Sequence, residues 1–190
     1  MKELENNIQS FFGIATPEEL AAITSLFQPE TLKKGDYFLK TNWKCEKLSF
    51  LQSGFLRVFL ETENKEVTQW ISSKGYFVTD VSGFIFDKPA RWNMQALTDV
   101  KLCTLPKKKY NELKNFLPNW SELEKQFLAH CFASMEDRIF CHLSMTAEER
   151  YLFLFNQNKE LFNQVPLQYI ASMLGMTPET FSRIRKKQLS

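Results

Sequence analysis

The stretch of sequence that decides the fold is residues 165–187, VPLQYIASMLGMTPETFSRIRKK. Its pattern predicts two helices joined by a tight turn. Ala171 is small where the second helix must approach closely, and Gly175 can adopt the left-handed conformation that ends the first helix. Thr177 fits an N-cap, and Pro178 fits the first position of the next helix, where no N–H is needed. The segment therefore predicts a helix-turn-helix.

The second of these helices has two different faces. Phe181 and Ile184 lie on one side at helical spacing, with Gln188 in line behind them. The opposite side presents donors, an acceptor and positive charge from Glu179, Ser182, Arg183 and Lys186. Such a helix can be anchored by one face while the other enters a DNA groove. The alternative interpretation is a helical hairpin with a solvated basic end.

The charge distribution supports the first interpretation better than the total does. The chain has 190 residues and a formal net charge of only +2. However, residues 161–190 carry four basic residues against the single Glu179. A local basic excess is the electrostatic signature expected of a nucleic-acid contact.

The region upstream has a different character. Residues 32–105 contain short apolar runs separated by turn signals such as Lys34-Gly35-Asp36, which predicts an all-β barrel or roll. Residues 55–60 and 67–71 are predicted to form a hairpin across a glutamate-rich turn. Before this region, Thr16-Pro17-Glu18-Glu19 is a capping box that predicts a helix running to about Leu26.

Residues 120–145 contain no Gly or Pro and predict one long helix. Its apolar residues cover so much of the circumference that we expect one side to pack on its own domain and the other on a second copy. The predicted dimer interface is Leu128, Cys131, Phe132, Met135, Ile139 and Leu143. Periodicity alone leaves open a buried helix of a monomer.

Together these segments resemble the cyclic-AMP-receptor/FNR (Crp/Fnr) family of bacterial transcription regulators, most specifically over residues 145–187. The resemblance is closest to short members in which Ala147-Glu148-Glu149-Arg150-Tyr151 opens the DNA-binding domain. It implies an α+β protein with a β-roll (jelly-roll) sensor domain at 1–118, a dimerisation helix at 119–145 and a helix-turn-helix domain at 146–190. The implied protein is a cytoplasmic homodimer that binds palindromic DNA, with RNA polymerase as a further partner.

The family's base-reading glutamate and arginine fall on Glu179 and Arg183. The predicted DNA-binding residues are Gln168, Thr177, Glu179, Thr180, Ser182, Arg183, Lys186 and Lys187. This sequence departs from the family at Pro178, which replaces a frequent arginine that donates to a base. A second departure is that a β-hairpin wing, which often follows the recognition helix, is expected to be mostly or wholly lacking here.

The resemblance is weaker in the sensor domain. Cyclic-nucleotide-binding members hold the ligand with a Gly-Glu pair and a downstream arginine, whose positions here fall on Thr79-Asp80 and on Ala90, with Arg91 one residue late. A slip of one residue turns a strand side chain to the opposite face. The candidate effector residues are Asp80, Ser82, Arg91, Met135 and Glu136. A cyclic nucleotide is therefore disfavoured against another small molecule or no ligand, and no cofactor or metal is assigned.

Other functions fit the sequence less well. The four cysteines are scattered without metal-ligand spacing, which argues against an iron–sulfur sensor and suits free thiols in a reducing compartment. A cupin-type metal enzyme would need ligands in the β region, but both histidines lie outside it. No signal peptide, membrane-spanning run, catalytic triad or phosphate-binding glycine loop is found. The remaining alternative is a nucleotide- or protein-binding regulatory module that does not contact DNA.

Overall fold

Two helices precede the β region in the computed structural model, which describes residues 2–13 and 16–189. They are α1 (Lys2–Phe12) and α2 (Pro17–Thr24). The Thr16 hydroxyl accepts a hydrogen bond from the Glu19 amide at 3.2 Å, and Pro17 occupies the first turn, so the predicted cap of α2 is confirmed. The helix ends at Thr24, before the predicted Leu26, because the chain turns there into the first strand.

The β region forms two four-stranded antiparallel sheets. Its strands are β1 (Gln28–Leu32), β2 (Tyr37–Leu39), β3 (Lys47–Ser53), β4 (Leu56–Glu61), β5 (Glu66–Ser72), β6 (Phe77–Val78), β7 (Asn93–Ala96) and β8 (Val100–Pro106). The sheet orders are β1-β8-β3-β6 and β2-β7-β4-β5, so β5 is an edge strand. The predicted hairpin is β4–β5. The chain is thus a mixed α and β protein built around antiparallel sheets, in agreement with the predicted fold class.

A glycine makes the connection between the two sheets possible. Gly54 joins β3 to β4 with φ of +90°, a conformation that side chains rarely adopt. A Cβ at this position would lie 2.4 Å from the backbone oxygen of Asp99. The turn signal Gln52-Ser53-Gly54 therefore reflects both backbone conformation and lack of space.

The core between the sheets continues into the flanking helices α3 (Val81–Phe86), α4 (Lys107–Phe116) and α5 (Trp120–Ser144). The sequence predicts α5 with nearly these bounds but neither α3 nor α4. Phe12 of α1 stacks on Phe127 of α5, with ring centroids 4.6 Å apart, and contacts Trp120 at 5.7 Å. The chain contains 18 phenylalanines, and some of them therefore attach the N-terminal half of α5 to the sheets.

Four further helices follow α5. They are α6 (Ala147–Gln157), α7 (Leu161–Gln164), α8 (Leu167–Met173) and α9 (Pro178–Leu189). A second hydrophobic cluster joins them, and it also includes Ile71 of β5 and the loop residues Phe55 and Leu97 of the β region. The C-terminal helices therefore pack directly on the β region. Ser190, on which the expectation of a missing wing depends, lies outside the described residues.

Two further properties concern the helices and the cysteines. Among the described residues, no helix is long and apolar enough to cross a membrane. Cys45, Cys103, Cys131 and Cys141 are all free thiols, two of them buried.

Candidate nucleic-acid interface and ligand cavity

Helices α8 and α9, together called the α8–α9 pair, are joined by the turn that the sequence predicts. Gly175 has φ of +68°, in the left-handed region, and the Met176 amide donates to the Ala171 carbonyl at 2.9 Å. Ile170 and Ala171 are fully buried where the two helices approach each other. The turn geometry therefore agrees with the roles predicted for Ala171 and Gly175.

Helix α9 has the predicted division between an inner and an outer face. Phe181 and Ile184 are buried, and the Phe181 ring lies 5.3 Å from Tyr151 of α6 and 6.0 Å from Phe162 of α7. On the outer face an open concavity is lined by Pro178, Glu179, Ser182, Arg183 and Lys186. The inner aromatic contacts thus hold the helix while the polar face stays accessible.

The N-terminus of α9 is capped by Thr177. Its hydroxyl accepts a hydrogen bond from the Thr180 amide at 3.2 Å. The backbone amide of Glu179 and the Thr177 hydroxyl both lower the pKa of the Glu179 carboxyl from its ordinary value. The Glu179 carboxylate is therefore ionised and can accept hydrogen bonds at neutral pH.

The other predicted DNA-binding residues lie around this face. Gln168 is exposed on α8 and lines a groove that also includes Thr177 and Pro178. The Nζ of Lys187 lies 3.0 Å from both carboxylate oxygens of Glu148, the second residue of α6. Both partners of this ion pair are partly exposed, so a phosphate could compete for the lysine.

Helix α6 is fixed at its start by a complete capping box. Thr146 accepts from the Glu149 amide, and the Glu149 carboxylate accepts from the Thr146 amide at 2.7 Å. Next along the helix, Arg150 donates to the carbonyls of Met145 and Leu174 at 2.8 and 3.0 Å. Arg150 therefore ties the end of α5 to the end of α8 through one guanidinium group.

The α8–α9 pair is also attached to the edge of the β region, which the sequence analysis did not predict. The Ser172 hydroxyl accepts a hydrogen bond from the Thr68 amide of β5 at 2.9 Å. Arg57 of β4 is 1% exposed, and its guanidinium lies 3.7 Å from the centroid of the Tyr169 ring. The same guanidinium donates to Thr68 at 2.9 Å and to Glu66 at 2.6 Å. No periodicity signals such a buried arginine, because Tyr169, which covers its guanidinium, lies 112 residues further along the chain.

Helix α5 changes character along its length. Leu128 and Cys131, both predicted for the dimer interface, are partly buried against the core of the β region. The other predicted interface residues are exposed, namely Phe132 at 57%, Met135 at 45%, Ile139 at 53% and Leu143 at 81%. Phe140, which was not assigned to the interface, is 68% exposed. The C-terminal half of the helix thus presents an apolar stripe to solvent.

A cavity of about 520 Å³ lies between α5, β5 and α3. Four of the five candidate effector residues line it, namely Asp80, Ser82, Arg91 and Met135. Glu136 is exposed and does not line it. The predicted grouping is therefore reproduced except for Glu136, whose position on α5 turns it away from the β region.

The side chain of Asp80 is already engaged in the fold. It is 3% exposed, and its two oxygens accept hydrogen bonds from the Gly83 amide at 2.8 Å and the Arg91 amide at 2.7 Å. The first bond caps α3, a helix that the sequence analysis missed. Ala90, at the expected phosphate-arginine position, is 2% exposed. Asp80 thus supports the local backbone instead of offering a free carboxylate.

Within residues 2–13 and 16–189, no three His, Cys, Asp or Glu side chains are grouped to hold a metal ion. The helix α5 contains His130, Cys131, Cys141 and His142, and its His142 ring nitrogens contact the carbonyls of Arg138 and Met173 at 3.0 and 3.3 Å. These contacts give His142 a structural role at the junction of α5 and α8.

Comparison with known proteins agrees with this architecture. Residues 29–115 match the family model of the cyclic nucleotide-binding domain. No curated protein matches the sequence significantly. Among solved structures, FixK2 from Bradyrhizobium japonicum has a TM-score of 0.71 at 16% identity, covering 85% of this chain and 83% of that protein.

Two further solved structures cover most of the chain. The c-di-GMP-responsive global regulator CLP from Xanthomonas campestris has a TM-score of 0.68 at 13% identity, with 92% of each chain covered. The catabolite activator protein of Thermus thermophilus has a TM-score of 0.57 at 21% identity, covering 93% of this chain and 85% of that protein. This chain therefore has the fold of Crp/Fnr-type regulators, with residues 29–115 matching the cyclic nucleotide-binding domain.

Proposed function

We propose that the chain is a homodimeric, sequence-specific DNA-binding transcription regulator. The observation that carries this proposal is the outer face of α9. There, Glu179, Ser182, Arg183 and Lys186 are exposed together, while Phe181 and Ile184 anchor the opposite face. A helix held in this way presents an acceptor and several donors at the spacing that a major groove accommodates.

Arg183 is the residue assigned to base reading. Its guanidinium can donate two hydrogen bonds to guanine O6 and N7, a pairing worth ~1–3 kcal/mol of discrimination. Gln168, Thr177 and Thr180 are assigned to positioning contacts around the same groove. Lys186 and Lys187 are assigned to phosphates, with Lys187 exchanging its Glu148 partner for DNA.

The dimer is assigned to the exposed apolar stripe of α5. A parallel pairing of two α5 helices about a two-fold axis matches a palindromic operator. In this proposal residues 1–118 form the sensor, 119–145 the dimerisation helix and 146–190 the DNA-binding domain. RNA polymerase would be a further partner.

The test begins with selection of bound sites from random-sequence DNA, followed by binding titrations on the selected site and on unrelated DNA. Arg183→Ala should weaken binding to the selected site by about tenfold to a hundredfold and relax preference at one base pair per half-site. Arg183→Lys is the matched control because it keeps the charge but loses the planar pair of donors. It should lose specificity nearly as much as Arg183→Ala.

Two results would contradict the base-reading assignment. One is that Arg183→Ala weakens binding to the selected site and to unrelated DNA by the same factor, which would make α9 an electrostatic clamp. The other is that selection enriches no sequence. The second result would favour the alternative function, a regulatory module that binds a nucleotide or a protein without DNA. The observation that favours this alternative is the close attachment of the α8–α9 pair to β5.

A further inference from the structure

The cavity between α5 and the β region contains a cation without a counter-ion. Arg138 of α5 donates through one terminal nitrogen to the Gln69 carbonyl, and its guanidinium lies 4.1 Å from the centroid of the Trp70 ring. Its Nε is buried and has no hydrogen-bond partner among the described residues. Within that part of the chain, no Asp or Glu forms an ion pair with Arg138.

Arg138 is only partly exposed, and withdrawing part of its charge from water is energetically unfavourable. Desolvation lowers the pKa of Arg138 from its ordinary value, although the nearby Tyr76 opposes the shift. A buried charge is stable in proteins when it is paired and its donors are satisfied. The guanidinium therefore has unused capacity to bind an anion that enters the cavity.

The rest of the cavity wall is mostly apolar and aromatic. It includes Trp70, Phe77, Trp92, Met94 and Met135. The volume of about 520 Å³ lies within the range of small-molecule sites, which are roughly 300–1,000 Å³. Such walls favour a flat apolar body, because aromatic faces stack on rings and thioethers fill irregular gaps.

The same wall is poorly suited to a cyclic nucleotide. The Asp80 carboxylate is occupied by two backbone amides, and the Thr79 hydroxyl donates to the Lys47 carbonyl at 3.0 Å. Ala90 is buried where a phosphate-binding arginine would be expected. The remaining cation, Arg91, is exposed at the rim, 5.7 Å from the Trp92 ring.

We propose that this cavity binds a flat apolar organic acid, whose carboxylate pairs with Arg138 while its ring system lies among Trp70, Phe77 and Trp92. The arginine fork matches a carboxylate in two parallel hydrogen bonds. The inference rests on the proposed function only in regarding the ligand as an effector. Arg138 also lines a pocket with Met173 and Leu174 of the C-terminal helices, so a movement of Arg138 would change the surroundings of these two residues.

The experiment is calorimetric titration of the full chain without DNA. The probes are a panel of aromatic acids, namely 1-naphthylacetate, indole-3-acetate and phenylacetate, each compared with its neutral amide and with cyclic AMP. At least one acid should bind about tenfold or more tightly than its amide, as expected for a charge-assisted pair. Cyclic AMP should neither bind in the low micromolar range nor displace the acid.

Variants locate the anion contact. Arg138→Gln should abolish the preference for acid over amide, and Arg138→Lys should retain part of it because the charge remains. Lys125→Gln, which removes an exposed charge from the same helix outside the cavity, is the matched control and should leave the preference unchanged. Far-UV circular dichroism establishes whether each variant is folded. If Arg138→Gln does not fold, the ratio of acid to amide affinity in the unmodified protein tests the proposal.

Several outcomes would overturn the proposal. One is equal binding of acid and amide, and another is an acid preference that survives Arg138→Gln in folded protein. A third is that no acid of the panel binds at about 1 mM, a concentration at which even a weak site with a binding free energy of about −4 kcal/mol is half filled. Because DNA is absent from the titration, its failure leaves the DNA-selection test untouched. Failure of DNA selection likewise leaves the acid preference measurable.

Discussion

Replacement of Ile139 by glutamate tests the dimer most directly. Ile139 is 53% exposed in the stripe on α5, and it does not line the cavity that Met135 shares. Its substitution should therefore act on self-association without altering the ligand site. Ile139→Ala provides a milder change at the same position.

The size of the effect follows from the exposed area. Full burial of an isoleucine side chain contributes roughly 1.5–3 kcal/mol, so covering its exposed half contributes about 1 kcal/mol per protomer. Two protomers lose about 2 kcal/mol in Ile139→Ala, which raises the dimer Kd about 30-fold. In Ile139→Glu two unpaired carboxylates also face each other in an apolar interface, which costs several kcal/mol more. The combined Kd should rise at least about 1,000-fold.

Sedimentation equilibrium over a range of protein concentrations measures this Kd. Ala133→Glu is the matched control, because Ala133 is exposed and lies about 120° from Ile139 around the helix. It should change the Kd by less than about threefold, the scale of an ordinary surface substitution. If the unmodified protein is monomeric at about 100 μM, the reasoning is refuted, because a Kd of this size corresponds to a dimerisation free energy of only about −5.5 kcal/mol. So would equal dimerisation of Ile139→Glu and Ala133→Glu.

Three further predictions concern stability and reactivity. Ser172→Ala leaves the buried Thr68 amide without its acceptor and should lower the free energy of unfolding by about 1–3 kcal/mol in urea titrations, whereas no change would mean that the bond is replaced. The amide and hydroxyl of Thr146 hold the pKa of Glu149 below its ordinary value. Their contact therefore stabilises the fold above the ordinary glutamate pKa, and this contribution is lost as the pH falls through the lowered pKa. Glu149→Gln should accordingly flatten the acid limb of the stability curve, and an unchanged slope would contradict this. Burial raises the pKa of Cys131 to about 11, so iodoacetamide at pH about 8 should spare it in mass spectra of the native protein, and rapid labelling would contradict that burial.

The features that the sequence predicted well depend on chemistry within a few residues. The cap at Thr177, the left-handed Gly175 and the buried Phe181 each follow from a local rule of spacing or conformation. The same holds for the β4–β5 hairpin and for the bounds of α5. These elements were therefore recognisable from a single sequence.

The features that it missed depend on residues that only the fold brings together. Thr68 and Ser172 are 104 positions apart, so their hydrogen bond has no sequence signal. Asp80 was expected to face an effector because of its position in the resemblance. Its carboxylate is instead used by the amide of Arg91, 11 residues downstream. Arg138 was not considered, since an arginine in an amphipathic helix ordinarily suggests a solvated face.

Ser172 shields the edge strand β5 through its hydrogen bond with Thr68, and this limits how such proteins can be truncated or their parts exchanged. An uncovered sheet edge is a template on which another chain can pair, and proteins generally shield such edges. A cut after α5 would leave β5 without this cover, so the β region alone should tend to associate edge to edge. Exchange of the C-terminal helices between related sensors would succeed only where the incoming counterpart of α8 brings a hydroxyl and an aromatic ring to the places of Ser172 and Tyr169. The two parts are therefore less interchangeable than their separate positions along the chain suggest.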